Sequence, residues 1–385
     1  MEEWYRINNI NEIDSPALVI YPDRVKKNIS LLISMIDDVN RLRPHVKTHK
    51  AKEAVDLQLA AGIKKFKCAT ISEAEMLASC NAPDVLLAYQ PIGPKIQRLI
   101  SLINNYPKTK FSCLVDNIIA AKEISKSASQ ANLVIPVYID LNVGMNRTGI
   151  IPDQKAFDLY RQCSEEKNIK PIGLHAYDGH IHDTEFEIRK KRCDDAYKAV
   201  EWLNDELIKN GFAQPVIVAG GSPSFPIHAK RKKIECSPGT FIYWDAGYLQ
   251  NCKEQHFQPA ALVISRIISL PDETTICTDL GHKSVASENP LNNRVHFINA
   301  PELTFISQSE EHLTLQVNKD HHYKIGDTLY GLPFHICPTC ALYERALIVV
   351  DARPPARAGT DGDDPRLNDS VGQAVGRGKI TKEFH

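Results

Sequence analysis

Eight short β-rich runs alternate with amphipathic segments between about residues 20 and 245, and this alternation constrains the fold more than any other feature of the chain. The runs are 45–48, 65–70, 84–89, 111–115, 135–141, 172–177, 216–220 and the stretch around 236–243. Between them, apolar residues recur at helical spacing. Val25, Ile29, Leu32, Ile33 and Ile36 precede the first run, and residues 94–102 and 154–163 follow the same rule. Ser72-Glu73-Ala74-Glu75 carries a capping-box pattern, and the helical stretch 187–211 ends on glycine. Strands that alternate with helices pair in parallel. Eight such units predict an α/β fold, a (β/α)8 TIM-type barrel over residues 14–245. Its active site is expected at the C-terminal ends of the strands.

The pattern changes after about residue 250. Strand-like segments at 261–268, 274–278, 302–307, 313–317 and 346–350 succeed one another without convincing helices. This reads as a C-terminal β domain over 246–385, which residues 1–13 are candidates to join. Residues 352–378 are rich in Pro, Gly, Asp and Arg and poor in apolar side chains, so they are expected not to pack. Residues 375–381 are similar to a displaced closing strand.

Charge narrows the partners. Lys and Arg total 46 against 47 Asp and Glu, so nothing in the balance favours nucleic acid or an acidic membrane. No apolar run is long enough to span a bilayer. The N-terminus is polar and acidic and lacks the basic-then-apolar order of a secretion signal, which predicts a cytoplasmic protein. The ten cysteines are then expected as thiols, and Cys68, Cys80, Cys113 and Cys277 read as small core residues.

The strand ends carry unusual polar groups. The first run holds Lys47, and a lysine within a short apolar strand is costly unless it is paired or used, for example as an imine-forming amine. Read alone, it is more often a charged strand end. The seventh run ends in Ala219-Gly220-Gly221-Ser222-Pro223-Ser224, where backbone N–H groups and the Ser222 hydroxyl can cradle an anion, although most such turns are ordinary. The fifth run leads to Arg147, the sixth to Tyr177, His180 and His182, and the eighth to Tyr243. A phosphate cradle, an inward lysine and an aromatic are together what pyridoxal 5′-phosphate (PLP) requires. In the C-terminal half, Pro333-Phe334-His335-Ile336-Cys337-Pro338-Thr339-Cys340 places His335 and Cys337 two apart, on one face if the segment is a strand. Both can then reach one ion, with Cys340 as an extra ligand, although a packed histidine beside a core thiol is the commoner meaning.

Nine segments carry a specific resemblance: RPHVKTHK (43–50), CATISEAEML (68–77), NVGMNRTGI (142–150), HAYDGH (175–180), AGGSPS (219–224), CSPGTF (236–241), DLGHKSVASE (279–288), SEEH (309–312) and PFHICPT (333–339). In this order the chain resembles the D-threonine aldolase/D-serine dehydratase family of fold-type III, alanine racemase-like PLP enzymes. The resemblance implies that Lys47 holds PLP as a Schiff base, in preference to Lys50, with His45 and Thr48 flanking it. It implies Arg147 at the cofactor's 3-oxygen, Tyr177 at its ring, Gly220, Gly221 and Ser222 at its phosphate, and Tyr243 lining the site. It also implies a divalent metal on His335 and Cys337. Thiolate and imidazole suit zinc ahead of manganese or magnesium. The implied reaction is cleavage of a β-hydroxy-D-amino acid to glycine and an aldehyde, with His180 or His182 as candidate base. Alternatives are β-elimination to a keto acid and ammonia, amino-acid racemisation, and PLP binding without turnover. The His-x-Cys pair resembles the dehydratase branch. A small amino-acid substrate and a homodimer complete the expectation.

Overall fold

The computed structural model describes residues 3–350 and the backbone of the strand 372–376. The described chain forms two compact units. One lies within Ile29–Phe241 and Gln250–His256, the other within Met1–Asn28, Ile242–Leu249 and Phe257–Lys379.

The first strand of the chain, β1 (Ala17–Ile20), belongs to the second unit. The first unit carries β2 (Lys65–Cys68), β3 (Asp84–Leu87), β4 (Lys110–Val115), β5 (Ile135–Leu141), β6 (Ile169–Ala176), β7 (Val216–Ala219) and β8 (Ile234–Cys236). They lie side by side in chain order, every neighbour parallel. Residues 42–46 supply the remaining stave. Leu42 bridges Cys236 and His45 bridges Lys67, both in parallel. The Arg43 N–H donates to the Cys236 carbonyl at 2.9 Å and the Lys67 N–H to the Pro44 carbonyl at 2.8 Å. The sheet is therefore TIM-like and closes between β8 and β2. Pro44 has no N–H to give, which is why this stave makes isolated bridges instead of a ladder.

Three details of the expected barrel are corrected. The first stave lies earlier than 45–48, and Lys47 sits in the turn after it, closed by the Lys50 N–H on the Val46 carbonyl at 2.9 Å. The eighth strand ends at Cys236 and does not run on towards 243, because Pro238 cannot continue a ladder. The helix Ile71–Ser79 is capped by Thr70, not Ser72: the Thr70 hydroxyl accepts the Glu73 N–H at 3.1 Å, and the Glu73 carboxylate accepts the Ala69 N–H at 2.7 Å. Inside the sheet, Leu86, Leu114, Tyr138 and Val218 form one buried cluster. Arg43, 1% exposed, ties the first stave to Glu235 of β8 at 2.7 Å and Asp84 of β3 at 2.5 Å. Deleting one partner of so buried a set costs about 3–5 kcal/mol.

The second unit is built on β9 (Ala261–Asp272), β10 (Thr275–Thr278), β11 (Val295–Phe297), β12 (Thr304–Gln308), β13 (Leu313–Gln316), β14 (Thr328–Pro333), β15 (Arg345–Ile348) and β16 (Gly372–Gly376). The order is β12-β13-β10-β9-β1-β15-β16, with β14 paired to β9 and β11. β1 runs antiparallel to β9 and parallel to β15, so the barrel does not begin at residue 14. Ile7 and Ile13 pack with Val19, Leu262, Ile264, Tyr330 and Leu332 in this unit's core. Two short strands, β11 and β14, and the helix Ile336–Leu342 had no clear signature in the sequence. The reading of 352–378 as unpacked lies outside the described residues, except that β16 pairs antiparallel with β15, Val375 opposite Ala346. All ten cysteines are thiols, and among the described residues no helix is long and apolar enough to cross a membrane.

Candidate active site

Four side chains meet at the C-terminal ends of the barrel strands. Lys47 follows the first stave, Lys67 lies on β2, Arg147 sits in the turn after β5, and Tyr177 follows β6. Measured to the Tyr177 ring centroid, Lys47 Nζ is at 5.7 Å, Lys67 Nζ at 5.6 Å and the Arg147 guanidinium carbon at 5.4 Å. Three basic side chains around one aromatic ring favour an anionic, conjugated ligand. The Arg147 turn is built by Asn142, whose side-chain oxygen accepts the N–H groups of Gly144 at 3.1 Å and Asn146 at 3.0 Å.

The glycine-rich loop after β7 supplies the anion end. The N–H groups of Gly239 and Thr240 converge on the Ser222 hydroxyl at 3.2 and 3.0 Å. The approach is close: a Cβ on Gly239 would lie 3.0 Å from the His45 carbonyl, and one on Gly221 would lie 3.1 Å from the Tyr177 ring. Gly220 has φ +77°. A serine hydroxyl whose oxygen accepts two backbone N–H groups and whose own proton can donate to a phosphate, together with an aromatic face and a lysine amine, fits PLP. Gly239 and Thr240 are donors that the sequence analysis did not single out, although both lie in the CSPGTF segment it quoted.

His45 Nδ1 accepts the Lys47 N–H at 3.2 Å, and burial, reinforced by the charges of Lys67 and Lys47, holds its imidazole well below the ordinary range. Lys50 is ion-paired with Glu73. Lys67 is 2% exposed, and burial with the nearby Lys47 charge lowers its amine to about 7. It lies 3.4 Å from His175 Nε2, and His175 Nδ1 lies 2.7 Å from Asp140. The sequence analysis gave Lys67, His175 and Asp140 no role, although His175 opens the HAYDGH segment it quoted. Their one signal is a polar residue at an inward position of an otherwise apolar strand.

The two candidate bases differ. His180 packs against the Arg147 turn, so that a Cβ on Gly144 would lie 2.6 Å from its Nε2. Its Nδ1 is buried without a hydrogen-bond partner among the described residues, and burial lowers its pKa. His182 is exposed, its Nδ1 at 3.1 Å from the His180 carbonyl.

Tyr243, His335 and Cys337 belong to the second unit. Tyr243 is buried there, and its carbonyl accepts the Ala260 N–H at 2.8 Å. The strand geometry expected for His335 and Cys337 is not found: β14 stops at Pro333, His335 is the N-cap of the helix Ile336–Leu342, and Cys337 lies in its first turn. The two are nonetheless adjacent, because a helix start also brings a cap and its second residue together. His335 Nδ1 lies 2.5 Å from Glu288 Oε1. Burial opposes its charge, but hydrogen bonds to Cys337 and Glu288 and the charge of Asp245 prevail and lift it to about 9. Imidazole, thiol and carboxylate together are a donor set for a borderline-soft divalent ion. Among the described residues, the set of three ligand-type side chains with all atoms within 4.8 Å is a different one, Asp178, Cys193 and His228.

Residues 20–246 match the model of the alanine racemase N-terminal domain, and residues 260–349 match a serine dehydratase domain. The D-threonine aldolase of Arthrobacter sp. is 27% identical over 346 residues, covering 88% of this chain and 90% of that one. The 3-hydroxy-D-aspartate aldolase of Paracoccus denitrificans is 24% identical, covering 87% and 88%. The crystal structure of D-threonine aldolase from Filomicrobium marinum superposes with a TM-score of 0.80 at 24% identity, covering 87% and 90%. The two family models span the barrel and the second unit in turn, and the chain is accordingly a member of the D-threonine aldolase/D-serine dehydratase family of alanine racemase-like enzymes, a PLP-dependent lyase.

Proposed function

We propose that the protein cleaves β-hydroxy-D-amino acids by a retro-aldol reaction, giving glycine and an aldehyde, with PLP on Lys47 and a divalent ion, zinc by its donor set, on His335 and Cys337. The reading rests above all on Lys47 lying 5.7 Å from the Tyr177 ring centroid, beside the convergent Gly239 and Thr240 N–H groups at Ser222. Bound PLP supplies the electron withdrawal that allows a bond to the amino acid's α-carbon to break. The ion supplies Lewis acidity towards a hydroxyl group. Arg147 and Tyr177 orient the ligand. The Gly220–Gly221–Ser222 loop holds its phosphate, its Ser222 hydroxyl fixed by the Gly239 and Thr240 N–H groups. Cleavage of the Cα–Cβ bond requires removal of the β-hydroxyl proton. His180 suits that role better than His182, since it packs beside the Arg147 turn, where burial lowers its pKa. As in the family, two copies are expected to associate.

β-Elimination to a keto acid and ammonia is the second reading, favoured by the thiol at Cys337 and by the serine dehydratase domain match. Incubation of the purified protein with D-threonine and D-serine, with and without EDTA, separates the two. Acetaldehyde and glycine from D-threonine support aldol cleavage, whereas keto acid from either substrate supports elimination. Racemised substrate, or no turnover with PLP bound, overturns both.

A further inference from the structure

The tight set Asp178, Cys193 and His228 is not organised as a metal site, because its members are already bonded to one another. Asp178 is 4% exposed and His228 2%. One Asp178 oxygen accepts the Ser224 hydroxyl at 2.7 Å, and the other lies 2.7 Å from His228 Nε2. The Cys193 thiol adds a further hydrogen bond to this carboxylate. Burial alone would raise the Asp178 pKa, yet His228 and Ser224 more than offset it and hold it below the ordinary value. It is a buried carboxylate with hydrogen-bond partners on both oxygens.

Its surroundings connect it to the cofactor cradle. Ser224 Oγ, held by Asp178, accepts the Gly221 N–H at 3.2 Å. His228 and Ser224 wrap Gly220 so closely that a Cβ there would lie 2.7 Å from the imidazole and 2.8 Å from the hydroxyl. Asp178 also follows Tyr177 directly, and the Tyr177 ring lies against Gly221. One carboxylate thus joins the residue at the cofactor ring to the loop at its phosphate.

We propose that Asp178 is a positioning residue that acts through Ser224 and His228 to set the Gly220–Ser222 loop at the spacing a phosphate requires from Tyr177. The proposal rests on the assignment of PLP to this pocket. Its signature is selective: losing the clamp should impair recognition of the phosphate and leave recognition of the ring unchanged.

The test is equilibrium dialysis of PLP and of pyridoxal, which lacks the phosphate, against wild type, Asp178→Asn, Ser224→Ala and Ser224→Thr. The wild type is expected to prefer PLP. Asp178→Asn and Ser224→Ala should each lose about tenfold or more of that preference, the scale of one charge-assisted hydrogen bond. Pyridoxal binding should stay within about twofold, and Ser224→Thr, which keeps the hydroxyl, should retain the preference. Equal loss of both ligands in the two variants, or loss of neither, overturns the positioning role while leaving the site assignment intact. A wild type that binds neither ligand overturns the site assignment and the clamp with it.

Discussion

Lys50 is ion-paired with Glu73, a carboxylate 4% exposed that also accepts the Ala69 N–H at the start of the helix Ile71–Ser79. Lys47, three positions earlier, faces Tyr177 instead. The two lysines of the HVKTHK segment thereby differ in surroundings, Lys50 held in an ion pair and Lys47 beside an aromatic ring.

Reduction of the PLP-loaded protein with borohydride, followed by peptide mapping, should therefore tag Lys47. Lys47→Ala should lose the visible absorbance of the bound cofactor and all turnover. Lys50→Ala should keep the absorbance and lose about 2–3 kcal/mol of stability in urea, since it strands a buried carboxylate. A tag on Lys50 or Lys67 would refute the assignment.

Ser222 is the hydroxyl on which two backbone donors converge. Ser222→Ala should raise the dissociation constant for PLP about 10- to 100-fold, the range for a hydrogen bond to a charged group. Dialysis measures it, and unchanged affinity would move the phosphate elsewhere.

Glu288 accepts from Nδ1 of His335 and would thereby fix the ring for the proposed metal. Glu288→Gln should weaken zinc binding about 10- to 100-fold, the usual effect of removing such a partner. Chelation should abolish turnover and leave the cofactor's absorbance in place. Competitive titration with a zinc indicator gives the first quantity, and an undiminished zinc affinity would argue against a site at His335.

Burial and the charge of Lys47 lower the Lys67 amine to about 7. The unfolded chain holds this proton up to about pH 10.4, so between about 7 and 10.4 it binds one that the folded protein does not. Stability of the cofactor-free protein should rise with pH through that window and be lost as pH falls towards 7. Lys67→Met should flatten the rise. Urea midpoints at about pH 7 and about pH 9.5 for the two proteins test it, and parallel profiles would show that Lys67 titrates normally.

The order of β-rich runs and amphipathic segments was enough to indicate the barrel, and quoted motifs such as HVKTHK and AGGSPS pointed to Lys47 and the Ser222 loop. These are local signals: periodicity reports which face of an element is buried, and a glycine reports where the backbone must come close. Neither reports which residues meet across the fold. The pairing of Ala17–Ile20 with β9 and β15, the Lys67–His175–Asp140 chain, and the clamp of Asp178 on Ser224 and His228 join positions far apart in sequence. Each depends on strand register and on side chains satisfying one another once water is excluded. That is why the chain alone pointed to Lys47, while the tertiary structure alone determined which buried groups surround it.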